Sequence, residues 1–137
     1  MLPLIFSCLF MFSSFSSMTG EILHYLNSGE EATLINETFR VMQVNGENGK
    51  YVVTGESRTK NGHFYYVVED GHNELVSEKQ VHTKAVFPSW STFRLEVNIP
   101  ERDLPENGAV ILYLFERNKE GQIINGLPVK LETIQQS

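Results

Sequence analysis

From Thr38 onward, short apolar runs alternate with polar breaks that contain glycine. Phe93, Leu95, Val97 and Ile99 occupy every second position, with Thr92, Arg94, Glu96 and Asn98 between them. Successive side chains of a strand point to opposite faces, so this spacing predicts a strand with one buried face and one wet face. Tyr51–Thr54 and His63–Val68 are denser runs of β-branched and aromatic residues, joined by a polar connection that ends in Asn61-Gly62. The second run stops at Asp70-Gly71. Asn-Gly and Asp-Gly tolerate positive φ, so both dipeptides mark places where a strand reverses. These two runs are expected to supply much of an all-β core.

The other breaks extend the pattern. Phe39, Val41 and Met42–Val44 form a first run, closed by Asn45-Gly46 and Asn48-Gly49. Leu75 to Val81 is polar and irregular enough for an edge strand, which keeps one hydrogen-bonding side in water. Val110 to Phe115 is apolar on both faces, as a central strand should be, and Leu127, Val129 and Leu131 alternate in a last strand. Between them stand the turn signals Leu104-Pro105-Glu106-Asn107-Gly108 and Lys119-Glu120-Gly121. About seven short strands at this spacing describe an antiparallel immunoglobulin-like sandwich. Thr19 to Asn36 carries only a short helix-like spacing, Ile22-Leu23 and Tyr25-Leu26, so residues 19–37 read as a linker or loose turn.

Met1 to Met18 has a different character. It has no charged residue, and its apolar core, which includes Leu9-Phe10-Met11-Phe12, gives way to Ser13-Ser14-Phe15-Ser16-Ser17. An apolar stretch followed by small residues suits a secretory signal peptide, with the mature chain expected to begin between Ser17 and Gly20. Its length also admits an uncleaved N-terminal anchor, the only membrane attachment expected. The domain is therefore placed at residues 38–137 and is expected to be exported, either extracellular or associated with the cell envelope. Cys8 is the only cysteine of the 137 residues and lies in this leader. The folded part is expected to hold together by packing, without disulfides. Every charge lies downstream of Met18, and the net charge is −6. That balance argues against nucleic acid and against anionic membrane surfaces, since no Lys/Arg patch is there to neutralise phosphate.

The order of these elements resembles a known family. Tyr51-Val52-Val53-Thr54-Gly55-Glu56-Ser57-Arg58 followed by Phe64-Tyr65-Tyr66-Val67-Val68-Glu69-Asp70-Gly71-His72 is similar to the immunoglobulin-like domain of bacterial spore germination proteins. The likeness continues through Trp90-Ser91-Thr92-Phe93, Asn107-Gly108, Leu114-Phe115-Glu116 and Leu127-Pro128-Val129-Lys130-Leu131. It implies an exported module of spore-forming bacteria. It carries over no catalytic residues and implies no cofactor.

His63, His72 and His82, with Glu69, Asp70 and Glu74 nearby, contain the atoms of a zinc site. Their spacings of nine and ten residues on separate strands instead favour turn or solvent-facing histidines. Trp90, with Tyr65, Tyr66 and Phe87, is a candidate aromatic platform for a peptidoglycan sugar; in small sandwiches such residues more often fill the core. Glu56, Arg58 and Glu116 include a carboxylate pair of the kind glycoside cleavage uses, but an exposed ion pair at a strand end is the expected role. Asn36-Glu37-Thr38 is formally a glycosylation triplet, discounted because the resemblance points to a bacterium. The leading expectation is a non-catalytic binding or structural module of the envelope or spore, with a protein or peptidoglycan partner at Trp90, Tyr65 and Phe87. The alternative is a secreted proteinase inhibitor presenting Lys84-Ala85-Val86-Phe87-Pro88-Ser89 as an extended loop.

Overall fold

The computed structural model describes residues 34–135. The expected leader at 1–18 with Cys8, its expected cleavage point and the helix-like spacing after Thr19 lie outside the described residues. Within them, eight strands form two antiparallel sheets, and one 3-10 turn covers Glu101–Asp103. The strands are β1 Leu34–Ile35, β2 Phe39–Glu47, β3 Lys50–Ser57, β4 His63–Glu69, β5 Glu74–His82, β6 Ser91–Asn98, β7 Gly108–Arg117 and β8 Ile123–Ile134. One sheet has the order β1-β2-β3-β6, the other β5-β4-β7-β8. This is an immunoglobulin-like sandwich. Leu34 and Ile35, in the stretch read as linker, add a short strand to the first sheet by pairing with Val41 and Arg40.

The period-two reading of β6 holds residue by residue: Ser91, Phe93, Leu95 and Val97 are buried, and the residues between them are exposed. Phe64 of β4 is fully buried between the sheets. Its ring meets Phe39 at 5.2 Å and Phe93 at 5.4 Å, both edge to face. That arrangement suits the quadrupoles of aromatic rings and ties both sheets to one centre. β5 lies at a sheet edge and β7 between two neighbours, as the patterning predicts.

Two turns differ from expectation. The first run does not stop at Asn45-Gly46. β2 continues through it to Glu47, and the chain reverses at Asn48-Gly49, where φ is +55° and +90°. A two-residue hairpin needs positive φ at both central residues, and only the second dipeptide stands in register between the Glu47–Lys50 pair. The hairpin is anchored across the sandwich. Tyr51 Oη donates to Glu132 Oε1 of β8 at 2.5 Å, and the Asn48 N–H donates to the same oxygen at 3.0 Å. Burial first, and the Glu132 hydrogen bond second, push the Tyr51 phenol up to about 12. The second difference is Asn61-Gly62, which does not pair the strands it joins. β3 and β4 belong to opposite sheets, and the connection between them packs Thr59 fully beneath the surface.

Gly55 is a tight point of the first sheet. β2 bulges opposite it, between Val41 and Gln43, and a Cβ at Gly55 would stand 2.1 Å from the Arg40 carbonyl oxygen and 2.9 Å from Phe93 Cζ. The oxygen belongs to the backbone, so the two strands must separate to admit a methyl group. Gly55→Ala should cost about 3 kcal/mol, the upper range for overpacking. Urea midpoints measure it, and a loss below roughly 0.5 kcal/mol would contradict this geometry.

Candidate functional site

The sandwich decides which candidate residues meet. On the outer face of the first sheet, Arg40 of β2 is registered opposite Glu56 of β3, which is itself opposite Thr92 of β6. Arg58 follows β3 and Trp90 precedes β6, one step beyond the Ser57–Ser91 pair. The Arg40 guanidinium carbon lies 3.7 Å from the centroid of the Trp90 ring, and that of Arg58 lies 4.6 Å from it. Arg58 also lies 5.3 Å from the Phe87 ring, with Lys60 Nζ at 5.8 Å on the same ring. A guanidinium over an aromatic face is held by the ring quadrupole, most strongly over tryptophan. The result is a corner of alternating cations and aromatic rings on an acidic domain.

Hydrogen bonds position its members. Arg58 Nε donates to the Glu37 carbonyl at 2.6 Å, and the Arg58 N–H donates to the Thr38 carbonyl at 2.9 Å. The loop that carries Phe87 is tied back to the β3–β4 connection by the Phe87 N–H on the Thr59 carbonyl at 2.8 Å. Ser89 N–H closes a turn onto the Val86 carbonyl at 2.9 Å. Lys84–Ser89 is therefore a pinned turn and not the extended segment that a protease cleft grips. The side chains of Val86 and Phe87 at its tip remain 47 % and 48 % exposed.

Only part of the expected aromatic platform assembles. Trp90 and Phe87 share Arg58, but Tyr65 lies on the other sheet, where its ring stacks on Phe115 at 5.8 Å and meets His63 at 5.5 Å. Tyr66 is buried in the core. Strand alternation sends neighbouring residues of β4 to opposite faces, so Tyr65 and Tyr66 never form one surface. Arg40, absent from the sequence reading, takes up a Trp90 face that a sugar would need. Its outward position between Phe39 and Val41 is legible, but its contact with Trp90 needs the order β2-β3-β6.

The expected acid–base groups separate. His63 and His82 are registered opposite each other on β4 and β5, with ring centroids 6.4 Å apart. His72 lies in the turn at the far end of β4, beside Asp70. Among the described residues, no three His, Cys, Asp or Glu side chains are placed to hold a metal ion. Glu56 pairs with Arg40 at 3.6 Å, not with Arg58. Glu116 corrects the expectation of an exposed ion pair, being only 6 % exposed and held by neutral donors. Thr38 Oγ1 and Asn125 Nδ2 donate to its Oε2 at 3.3 and 2.7 Å, and the Lys60 N–H donates to Oε1 at 3.4 Å. Asn36 is occupied as a turn residue: its Oδ1 accepts the Thr38 and Phe39 N–H groups at 2.9 and 2.8 Å.

At the β4–β5 turn, burial raises the Glu69 carboxyl, and a hydrogen bond from Tyr113 partly offsets it. The Asp70 carboxyl is instead held below its ordinary 3.8 by the backbone N–H groups of Asn73 and His72. A depressed folded value means that Asp70 contributes stability fully above the unfolded value, and loses it as pH falls through the folded one. The difference in melting temperature between wild type and Asp70→Ala should therefore be constant above about pH 5 and shrink below about pH 4. Thermal melts from pH 2 to 7 test it, and a pH-independent difference would refute the role of the ionised carboxylate.

Two antiparallel sheets of this order define an immunoglobulin-like domain. Residues 42–121 match the immunoglobulin-like domain of bacterial spore germination, which is more than half of the chain. The chain belongs to that family. No curated protein and no solved structure matches it.

Proposed function

We propose that this protein is an exported, non-catalytic binding module that docks an acidic component of the bacterial envelope or spore through the Arg58–Lys60–Phe87–Trp90 corner. The carrying observation is the exposed Phe87 ring set between Arg58 and Lys60 on a chain of net charge −6. Interface anchors are typically aromatic or arginine side chains, and this corner offers both. The family membership favours a role in germination, and the leader favours export. Wall peptidoglycan, with its stem-peptide carboxylates, is the first partner to test.

Co-sedimentation with purified peptidoglycan at two salt concentrations reads the affinity. Phe87→Ala and Arg58→Ala should each weaken binding about tenfold, with melting temperature preserved for Phe87→Ala. Higher salt should weaken wild-type binding as well. Binding unchanged by both substitutions would remove this corner from the function. Non-catalysis has its own test, complementation of a deletion strain with His63→Ala and His72→Ala. A well-folded variant that failed to complement would revive an enzyme.

A further inference from the structure

Among the described residues four strands form sheet edges, and three of them are blunted against further pairing. β1 is two residues long, and β8 carries Pro128. β5 departs from regular register twice and carries Glu74, Glu78 and Lys79. Short length, proline, irregularity and charge are the usual means of protecting an edge. β6 is regular, of full length and free of proline, and its two charges, Arg94 and Glu96, are opposite in sign. Its eight residues pair with β3 from Lys50–Asn98 to Ser57–Ser91 without a break in register. Its inward side chains Phe93, Leu95 and Val97 are apolar. Among the described residues, no strand pairs with its other side.

The direction of its free groups follows from one hydrogen bond. The Ile99 N–H donates to the Gly49 carbonyl of the β2–β3 turn at 2.7 Å, so odd-numbered residues of β6 turn their backbone groups towards β3. In an antiparallel ladder the alternate residues face the opposite way, so Thr92, Arg94, Glu96 and Asn98 present N–H and C=O to the open edge. Their side chains stand on the solvated face, Arg94 59 % and Glu96 62 % exposed, and these two form an ion pair along the strand.

We propose that this edge docks a second copy of the same chain, β6 against β6, antiparallel about a two-fold axis at Leu95. The free backbone groups restrict such a pairing to even residue opposite even residue. Three registers lie near the centre of the strand. One places Arg94 opposite Arg94 and another Glu96 opposite Glu96, and like charges directly opposite each other are destabilising. The third places Arg94 of each copy opposite Glu96 of the other, with Thr92 opposite Asn98. Only this register forms two opposite-charge cross-strand pairs while using every free backbone group. It joins the four-stranded sheets of two copies into one continuous sheet. An isologous contact of this kind is self-complementary by construction. The dimer would also carry the binding corner twice, which favours attachment to a repetitive polymer by avidity.

Sedimentation velocity on the purified full chain, across about 1 µM to 1 mM, tests the proposal. Wild type should show a concentration-dependent monomer–dimer equilibrium. Arg94→Glu and Glu96→Arg should each weaken dimerisation about tenfold, because each replaces two attractive cross-strand pairs by two repulsive ones. An equimolar mixture of the two variants should associate again, since the acids of the first face the arginines of the second. Circular dichroism confirms that each variant is folded. A wild-type chain monomeric at 1 mM overturns the proposal. So does dimerisation that persists unchanged in both variants, which would place the contact elsewhere, or a mixture that stays monomeric. Capture of an extended strand from another protein by a monomeric β6 would likewise assign the edge to a different occupant.

Discussion

Phe64→Ala should lower stability by about 3–5 kcal/mol, a large share of what a domain of this size possesses. The ring is fully buried and stands between Phe39 and Phe93, so truncation leaves a cavity bordered by both sheets. Filling it would require the sheets to approach each other. The other side chains packed between the sheets, Leu95 and Leu112 among them, resist that movement. The neighbouring Tyr65→Ala is the control. Its side chain faces outward against Phe115 and should cost about 1 kcal/mol. Guanidinium unfolding midpoints at equal slope separate the two. Comparable losses at 64 and 65 would mean that β4 is out of the register described here.

The second large effect is expected at Glu116. Three donors converge on its carboxylate from three parts of the chain: Thr38 before β2, Lys60 between β3 and β4, and Asn125 in β8. Removing the acceptor deprives the buried Thr38 hydroxyl of its partner, at about 1–3 kcal/mol for such a group, and also releases the part-buried donors of Lys60 and Asn125. Glu116→Ala should therefore lose about 2–4 kcal/mol, while Glu116→Gln, which keeps one acceptor oxygen, should lose about 1 kcal/mol. Glu56→Ala removes a half-exposed ion pair with Arg40 and should change stability by less than about 1 kcal/mol. Because Lys60 borders Phe87, Glu116→Ala should also loosen the binding corner, seen as weaker peptidoglycan binding by the folded fraction. If Glu56→Ala proved the costlier substitution, the buried carboxylate would not be the organising group.

Much of the fold is decided locally, and for that reason it is readable along the chain. Alternation in Phe93–Ile99 depends only on the geometry of an extended backbone, and it assigned the buried face of β6 correctly. The density of apolar residues in Val110–Phe115 likewise marks a strand with a neighbour on each edge. The order of turns, with the residues between them, was enough to indicate the sandwich and the family. Glycine dipeptides located most reversals. At Asn45-Gly46 they misled, because a glycine inside a strand and a glycine in a hairpin look alike until the partner strand sets the register.

What only the tertiary structure decided is who meets whom across strands. Tyr65 and Trp90 are both aromatic, yet sheet order puts them on different sheets and puts Arg40 on Trp90 instead. Glu116 looked like an exposed acid at a strand end. Its burial follows from a bulge between Leu114 and Glu116, which lets Asn125 reach it from β8. The open edge of β6 is a property of topology alone, since no residue in Ser91–Asn98 reveals on which side it lacks a neighbour. Local pattern dictates which face of a strand is buried because alternation is intrinsic to the backbone. Contacts between strands depend on sheet order and register, and those are set by the packing of the whole sandwich.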